Sequence, residues 1–321
     1  MKTAIPMPDL PLVTVAIATY NRADLLRQAL QGITQQEYPG DRLELLVIDN
    51  RSTDDTREVV DSFQGAPHPP RYILETQPGA NFARNRAIRE GRGEIIAFLD
   101  DDVLVKPDWL QELVAPFAQD EAGKIGAVGG EVIPVFPDGR PDWIARFHGP
   151  QSLRPDPGPI RPEQVPMGAN LAFRRQTLVE LGAFDTAVTR QGGRIFSADE
   201  NLLIRRLWQA GHEAWFAPRA CVRHQMPASR TTLRYARRHA FDSARSRVIT
   251  QVRMDREEGR PSSGYLWSRL GGNLLKAVLF ALVAGLNFMV GRGGAGKASL
   301  VRAWRSCGYL YQIPRSLCGL I

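Results

Sequence analysis

Three observations predict an α/β, Rossmann-like fold with a mostly parallel sheet flanked by helices, followed by a helical C-terminal extension. Strand-like apolar runs alternate with helical periodicity from residue 12 to residue 103 in a β-α-β-α-β-α-β order. The run Ile95-Ile96-Ala97-Phe98-Leu99 passes directly into Asp100-Asp101-Asp102. The charge balance also reverses near residue 230. A β-branched and aromatic run of this length reads as a strand buried on both faces. Three carboxylates at its end repel one another and call for a cation. Mg²⁺ or Mn²⁺ is commonly held by one or two carboxylates and completed by substrate phosphates. The alternative is a solvated acidic turn.

The elements follow in order. Residues 1–11 are a Pro-rich lead-in. Leu12 to Thr19 is a strand that breaks into Tyr20-Asn21-Arg22, and Ala23 to Gln36 places Leu25, Leu26, Ala29, Leu30 and Ile33 at helical spacing. Leu43 to Asp49 is a second strand ending on a carboxylate, followed by a polar turn from Asn50 to Thr56 rich in N-cap residues. A short helix through Val59 and Phe63 leads to a third strand, Arg71 to Glu75. Phe82 to Glu90 is helical, Gly91-Arg92-Gly93 closes it, and the strand carrying the triple Asp follows. Ligands of open α/β sheets bind beyond the C-terminal ends of the strands. Thr19, Asp49 and Asp100 to Asp102 therefore converge on one crevice. No Gly-rich dinucleotide fingerprint or P-loop is present.

Lys106 to Phe117 reads as a helix and Ile125 to Ile133 as a strand. Residues 134–165 are rich in Pro and Gly, as either a functional lid or a disordered insertion. Met167 to Arg175 is a strand running into a helix, with Gly168 permitting close backbone approach. Gln191 to Ser197 is a flexible segment. Ser197 caps a helix with Asp199 and Glu200 in its first turn, where helix-dipole complementation alone would explain two acids. Glu213 to Phe216 is a strand, and His224 closes a terminal segment, Ala220 to His224.

Composition narrows the class. The chain has 321 residues, 43% hydrophobic and 23% charged, which marks a folding sequence. Cys221, Cys307 and Cys318 are too few for a disulfide framework and form no CxxC pair, so a reducing compartment fits best. The N-terminus lacks the basic-then-apolar pattern of a secretory leader. Residues 230–321 carry 16 Lys/Arg against 4 Asp/Glu, and residues 1–229 carry 25 against 30. This asymmetry points to an anionic partner for the C-terminal part. Arg230 to Arg253 resembles a membrane-surface helix. Leu266 to Val290 is strongly apolar, and its charge-free core, Ala277 to Val290, has 14 residues where a span needs about 20. It reads as interfacial or re-entrant. Gly291 to Gly296 is a hinge, and Leu300 to Ile313 a second amphipathic basic helix with Trp304, Tyr309 and Tyr311. A buried helical appendage is the alternative. Nucleic acid is not expected as a partner, because the Arg-rich helix brings no base-stacking or groove motif.

Five stretches in order resemble the family 2 glycosyltransferases, inverting enzymes of GT-A fold. Val15 to Arg22 is similar to the opening strand with its Thr-Tyr-Asn turn, and Val47 to Thr56 to the Asp-Asn-Gly-Ser-x-Asp-x-Thr segment. Gly79 to Ala87 carries the Ala-Arg-Asn helix start, Phe98 to Asp102 the DxD motif, and Met167 to Arg175 with Gly182 to Asp185 the later Gly-x-Asn and Gly-x-Phe-Asp segments. The resemblance covers roughly residues 12–225. It implies a GT-A glycosyltransferase domain over 1–229 and a membrane-associated region over 230–321.

The same resemblance implies residue roles. Thr19, Tyr20, Asn21, Arg22, Asp49, Arg84, Asn85, Asp100, Asp101, Gly168 and Asn170 would bind the nucleotide sugar. Asp49 would read the base, Arg84 would meet the diphosphate or the base, and Asp100 or Asp101 would reach the ribose. Asp102, Asp100 and His224 would hold Mn²⁺ or Mg²⁺. The family's base lies in a Glu-Asp pair; here the order is Asp199-Glu200, and the count back from Ala210-Gly211 favours Glu200 with Asp199 supporting. The implied donor is a nucleotide-diphosphate sugar, UDP favoured. The implied acceptor is a saccharide or lipid-linked molecule, as in polysaccharide or glycolipid biosynthesis. The implied location is the cytoplasmic face of a cell membrane, on an anionic lipid surface. A GT-A nucleotidyltransferase would show an N-terminal Gly-rich basic loop, which is absent. An inactive sugar-binding scaffold would not need the intact acidic pairs.

Overall fold

The computed structural model describes residues 10–186 and 199–319. The Pro-rich lead-in before residue 10, the segment Gln191 to Ser197 and the proposed cap at Ser197 lie outside them. The chain divides into two compact units. The first contains residues up to Val135, Pro150–Thr186 and Leu203–Gln225; the second contains Phe136–Gly149, the start of one helix and the chain from Met226 onward.

The first unit is built on one mixed sheet. Its elements are β1 (Val13–Thr19), α1 (Ala23–Ile33), β2 (Leu43–Asp49), α2 (Thr56–Asp61), β3 (Pro70–Leu74), α3 (Ala80–Glu90), β4 (Ile95–Asp100), β5 (Val103–Val105), α4 (Trp109–Ala118), β6 (Ile125–Val135), β7 (Gly158–Pro159), β8 (Asn170–Arg174), α5 (Arg175–Glu180), α6 (Asp199–Gln209) from Leu203 onward, and β9 (Glu213–Gln225). The strand order is β3-β2-β1-β4-β8-β6-β9-β5, with β7 against β9. β3, β2, β1 and β4 run parallel, as the alternation requires.

Side chains of successive strand residues point to opposite faces. Ile95, Ala97 and Leu99 of β4 join a core with Leu26, Leu30 and Ile33 of α1 and Trp109 of α4. Ile96 and Phe98 join the opposite core with Ala83 and Ala87 of α3 and Leu207 of α6. This two-sided burial is why the run is apolar without alternation.

β8 runs antiparallel between β4 and β6. A parallel neighbour needs a crossover, usually helical. The chain between β6 and β8 forms only one turn of 3₁₀ helix and the two-residue β7, so it returns reversed. Gln151 and Val132 exchange backbone hydrogen bonds, and Ile160 is buried in the core with Phe173 and Phe216. β9 is one 13-residue strand where the sequence suggested two pieces. Pro218 is accommodated by a register shift opposite Gly130 and Val132.

The second unit has α7 (Leu233–Glu257), α8 (Ser263–Met289) and α9 (Gly293–Leu317). α7 and α8 pack on α9, and Val248, Leu266, Tyr309 and Ile313 form a core there. A second cluster joins Trp143 and Ile144 to Ala236, Ala240 and Val301. The glycine hinge is much shorter than the sequence suggested, because α9 begins at Gly293. Within that helix Gly296 lies under the Phe288 ring, where an added Cβ would meet ring carbons at 2.9 Å.

Candidate active site

The register of three parallel strands sets the site. Thr19 pairs with Asp49, and Ala18 with Asp100, so β1, β2 and β4 end side by side. The pairing of Val103 with His224 then carries the imidazole from β9 to the triple Asp. The backbone N–H of Gln225 donates to the Asp102 carbonyl at 2.8 Å and fixes that approach.

The three carboxylates have different surroundings. Asp100 is about a third exposed (32%) and faces Arg84 Nη2 at 3.8 Å. Asp101 is buried and fully engaged: the Thr19 hydroxyl donates to Oδ2 at 2.8 Å and Arg22 Nη1 to Oδ1 at 2.7 Å. Burial pushes the Asp101 carboxyl up to about 6, against the pull of Arg22 and the Thr19 hydrogen bond. Asp102 is 1% exposed; Arg22 Nη1 donates to its Oδ2 at 3.0 Å, and His224 Nε2 lies 3.1 Å from its Oδ1. Burial works against the charge of Arg22, but Asp101 and Asp102 outweigh it and hold the guanidinium protonated beyond its ordinary range.

Among the described residues, Asp100, Asp102 and His224 can each offer one donor atom, all within 4.8 Å of one another. Two carboxylate oxygens and one imidazole nitrogen suit Mn²⁺, and the oxygens also suit Mg²⁺. The donor set fits the metal the sequence implied.

The other expected residues divide into two groups. Thr19, Arg22, Asp49 and Arg84 surround the strand ends. Asp49 accepts from the Ser52 N–H at 2.8 Å and from the Tyr72 hydroxyl at 2.7 Å. Tyr20 is 58% exposed. Asn21, with φ at 52°, joins two loops: it accepts from the Thr53 N–H at 2.7 Å and donates its own N–H to Ser52 Oγ at 2.9 Å. Asn85 is spent on Phe184, donating to its carbonyl and accepting its N–H. Asn170 is wholly buried, between the Trp109 indole N–H and the carbonyls of Glu131 and Ala220. It packs where a Cβ on Gly130 would stand, 2.3 Å away. Both asparagines hold the frame, and their side-chain amides are committed inside the protein. Gly168 is buried in the turn before β8, where the Asn170 N–H meets the Met167 carbonyl at 3.0 Å.

Glu200 is half-buried in the first turn of α6, and Asp199 opens that helix. The reading of the sequence passed over Tyr72. Its hydroxyl, pushed up to about 12 by burial and the Asp49 bond, positions the carboxylate expected to read the base. Only the parallel pairing of β2 with β3 brings it there.

This geometry is that of the GT-A fold. The chain matches Glycosyl transferase family 2 over residues 14–182, more than half its length. It is a member of that family. It is 29% identical over 214 residues to the glycosyltransferase AglE of Haloferax volcanii, a match covering 65% of each protein, and so less than two thirds of that relative. It is 25% identical over 232 residues to the glucosyl-dolichyl phosphate glucuronosyltransferase of the same organism, covering 68% of this chain and 71% of that one. Among solved structures, the mannosyltransferase PcManGT of Pyrobaculum calidifontis, in complex with GDP-Man and Mn²⁺, superposes with a TM-score of 0.59 at 23% identity, over 94% of this chain and 88% of that one.

Proposed function

We propose that this chain moves a sugar from a nucleotide-diphosphate donor, UDP-sugar favoured, to a saccharide or lipid-linked acceptor with inversion at the anomeric carbon. The cluster of Asp100, Asp102 and His224 at the strand ends of a family 2 chain carries this reading. Asp49, held by Ser52 and Tyr72, would accept from the ring N–H of the base. The exposed carboxylate of Asp100 would reach the donor, and Arg84 beside it would meet the diphosphate. Asp102, Asp100 and His224 would hold Mn²⁺ or Mg²⁺, which when bound neutralises the departing diphosphate as a Lewis acid. Thr19 and Arg22 would keep Asp101 and Asp102 in place. Inversion requires a base on the acceptor side. Glu200, with Asp199 beside it, would take the proton of the acceptor hydroxyl.

The glucosyl-dolichyl phosphate in the name of one relative and the basic composition of residues 230–321 support a lipid-linked acceptor met at an anionic membrane surface, for which the cytoplasmic face is the proposed side. The domain division would then be a catalytic part to residue 229 and a membrane-associating part beyond.

A thermal-shift screen of nucleoside diphosphates with and without Mn²⁺ tests the donor site. A ligand bound only by the native state raises the melting temperature by mass action. The expected result is stabilisation by UDP that needs Mn²⁺ and is lost in Asp102→Ala. A folded protein that responds to no nucleotide with metal would overturn the assignment.

A further inference from the structure

α8 is apolar on a side that none of the described residues covers. Its packed seam is Leu266, Leu270, Asn273, Ala277, Phe280, Ala284 and Asn287, an alternating spacing of four and three that lays it along α9. Away from the seam, Leu274, Leu275, Val278, Leu282, Leu286 and Met289 are each more than half exposed. At about 3.6 residues per turn they share an arc of roughly 120°. Trp267 lies on the same side and is also exposed. Arg269 and Lys276 stand on the far side of the helix from the centre of that arc, by the same periodicity. From residue 259 to the last residue the sequence has 8 Lys/Arg and no Asp or Glu. An apolar face on a region whose charged side chains are all cations is complementary to an anionic lipid leaflet.

Two placements within a bilayer remain, and the cations choose between them. α8 has 27 residues, about 40 Å, which is long enough to cross. Lys276 is its central residue, with 13 residues on either side within Ser263–Met289. One turn further on, the Arg302 guanidinium of α9 lies 5.8 Å from the centre of the Phe280 ring. A crossing α8 would carry both cations toward the middle of the hydrocarbon, where charge is strongly disfavoured. In a helix parallel to the leaflet, the apolar arc enters the acyl boundary while Lys276 stays among the headgroups.

We propose that α8 lies in the plane of an anionic leaflet, immersed along one face and not spanning. This deepens, and rests on, the membrane association proposed above. On this placement the α8–α9 hairpin is a monotopic float: the leaflet covers the arc left open by the protein, and its anionic headgroups meet the surrounding Arg and Lys.

The test uses the full chain with Cys221, Cys307 and Cys318 changed to Ser. A single cysteine is then placed by Leu275→Cys, Leu282→Cys or Met289→Cys and labelled with an environment-sensitive fluorophore. Vesicles are phosphatidylcholine with and without phosphatidylglycerol, and lipids spin-labelled at graded depths serve as quenchers. The nucleotide-dependent thermal shift checks that each variant is folded. The expected result is one shallow depth at all three positions. Binding should be at least tenfold tighter with phosphatidylglycerol and should weaken with salt. Leu275→Glu with Leu282→Glu, both at exposed positions, should abolish vesicle binding and keep the nucleotide response.

A depth that runs from one headgroup layer through the midplane would overturn the in-plane placement and leave membrane association standing. Labels that stay in water while the chain binds vesicles would overturn the role of α8. Labels shielded without lipid, together with dimers in sedimentation, would make a second copy the occupant and overturn the proposal. Failure of the full chain to bind any vesicle would remove the membrane reading itself.

Discussion

In β4, Ile95, Ile96, Ala97, Phe98 and Leu99 are all buried, whereas in α8 a comparable density of leucine and valine stands open to solvent. The charges beside the two stretches are opposite in sign and in treatment. β4 ends in carboxylates that the protein encloses with Thr19, Arg22 and His224. α8 and α9 carry cations that remain largely at the surface. An apolar run therefore does not by itself announce a core. What distinguishes the two is whether the same unit supplies a second layer. β4 has a helix layer on each face. Among the described residues, α8 has α9 along one seam and the α7 cluster at its start, while Leu274, Leu275, Leu282 and Met289 stay exposed.

The sharpest way to break this contrast is at the carboxylates. Asp102→Ala should lower turnover on the order of 10³-fold, the scale of removing one preorganised electrostatic group. Steady-state assays across a Mn²⁺ titration would read it, and unchanged turnover would detach Asp102 from the chemistry.

The apolar runs come next. Ile96→Ala should reduce stability by about 2–5 kcal/mol, since it leaves a cavity between packed layers. Urea unfolding checks this, and a cost under about 1 kcal/mol would mean the layer relaxes around the loss.

Arg22→Lys tests the enclosure. Lysine is a point charge and cannot reproduce the two-carboxylate contact of the guanidinium. Mn²⁺ affinity by calorimetry should weaken roughly 10–100-fold, the usual effect of losing a group that orients a ligand.

Glu44 at the opposite ends of β1 and β2 supplies a purely structural carboxylate for comparison. Burial pushes it up, but the Arg92 N–H, the Thr14 hydroxyl and the charges of Arg92 and Arg71 outweigh burial, and its pKa is lowered. A carboxyl lowered on folding stabilises the protein above its unfolded pKa, and that gain is lost as pH falls through the folded value. The stability gap between wild type and Glu44→Gln should be full at neutral pH and shrink below the ordinary value of 4.5. A gap constant with pH in chemical denaturation would contradict this.

The smallest effect belongs to the exposed arc. Leu282→Ala should change stability in lipid-free buffer by less than about 0.5 kcal/mol. A cost comparable to that of Ile96→Ala would show that α8 is covered in solution.

Much of the first unit was legible because strand-end chemistry is local. Thr19, Asp49 and Asp100 each end an apolar run, and parallel alternation alone brings such ends together. His224 became part of the cluster through the β5–β9 pairing, which no local pattern announces. Asn85 and Asn170 fit the motif but turned inward, because their amides had backbone groups to satisfy. Tyr72 sat unnoticed on a short strand, since one hydroxyl in an alternating run carries no signal until its neighbour strand is known.

The sequence by itself determined the alternation of β and α, the acidic strand end, the family, and the change of charge near residue 230. Each is a property of neighbouring residues or of composition. Tertiary structure decided which carboxylate is enclosed and which is exposed, where β8 reverses, and which side of α8 packs on α9. These depend on groups far apart in the chain that meet only when their backbone and apolar surfaces are satisfied together. Asp100, Asp101 and Asp102 are identical residues in succession, yet the pleat and the contacts of Arg22, Thr19, Arg84 and His224 give them three different environments.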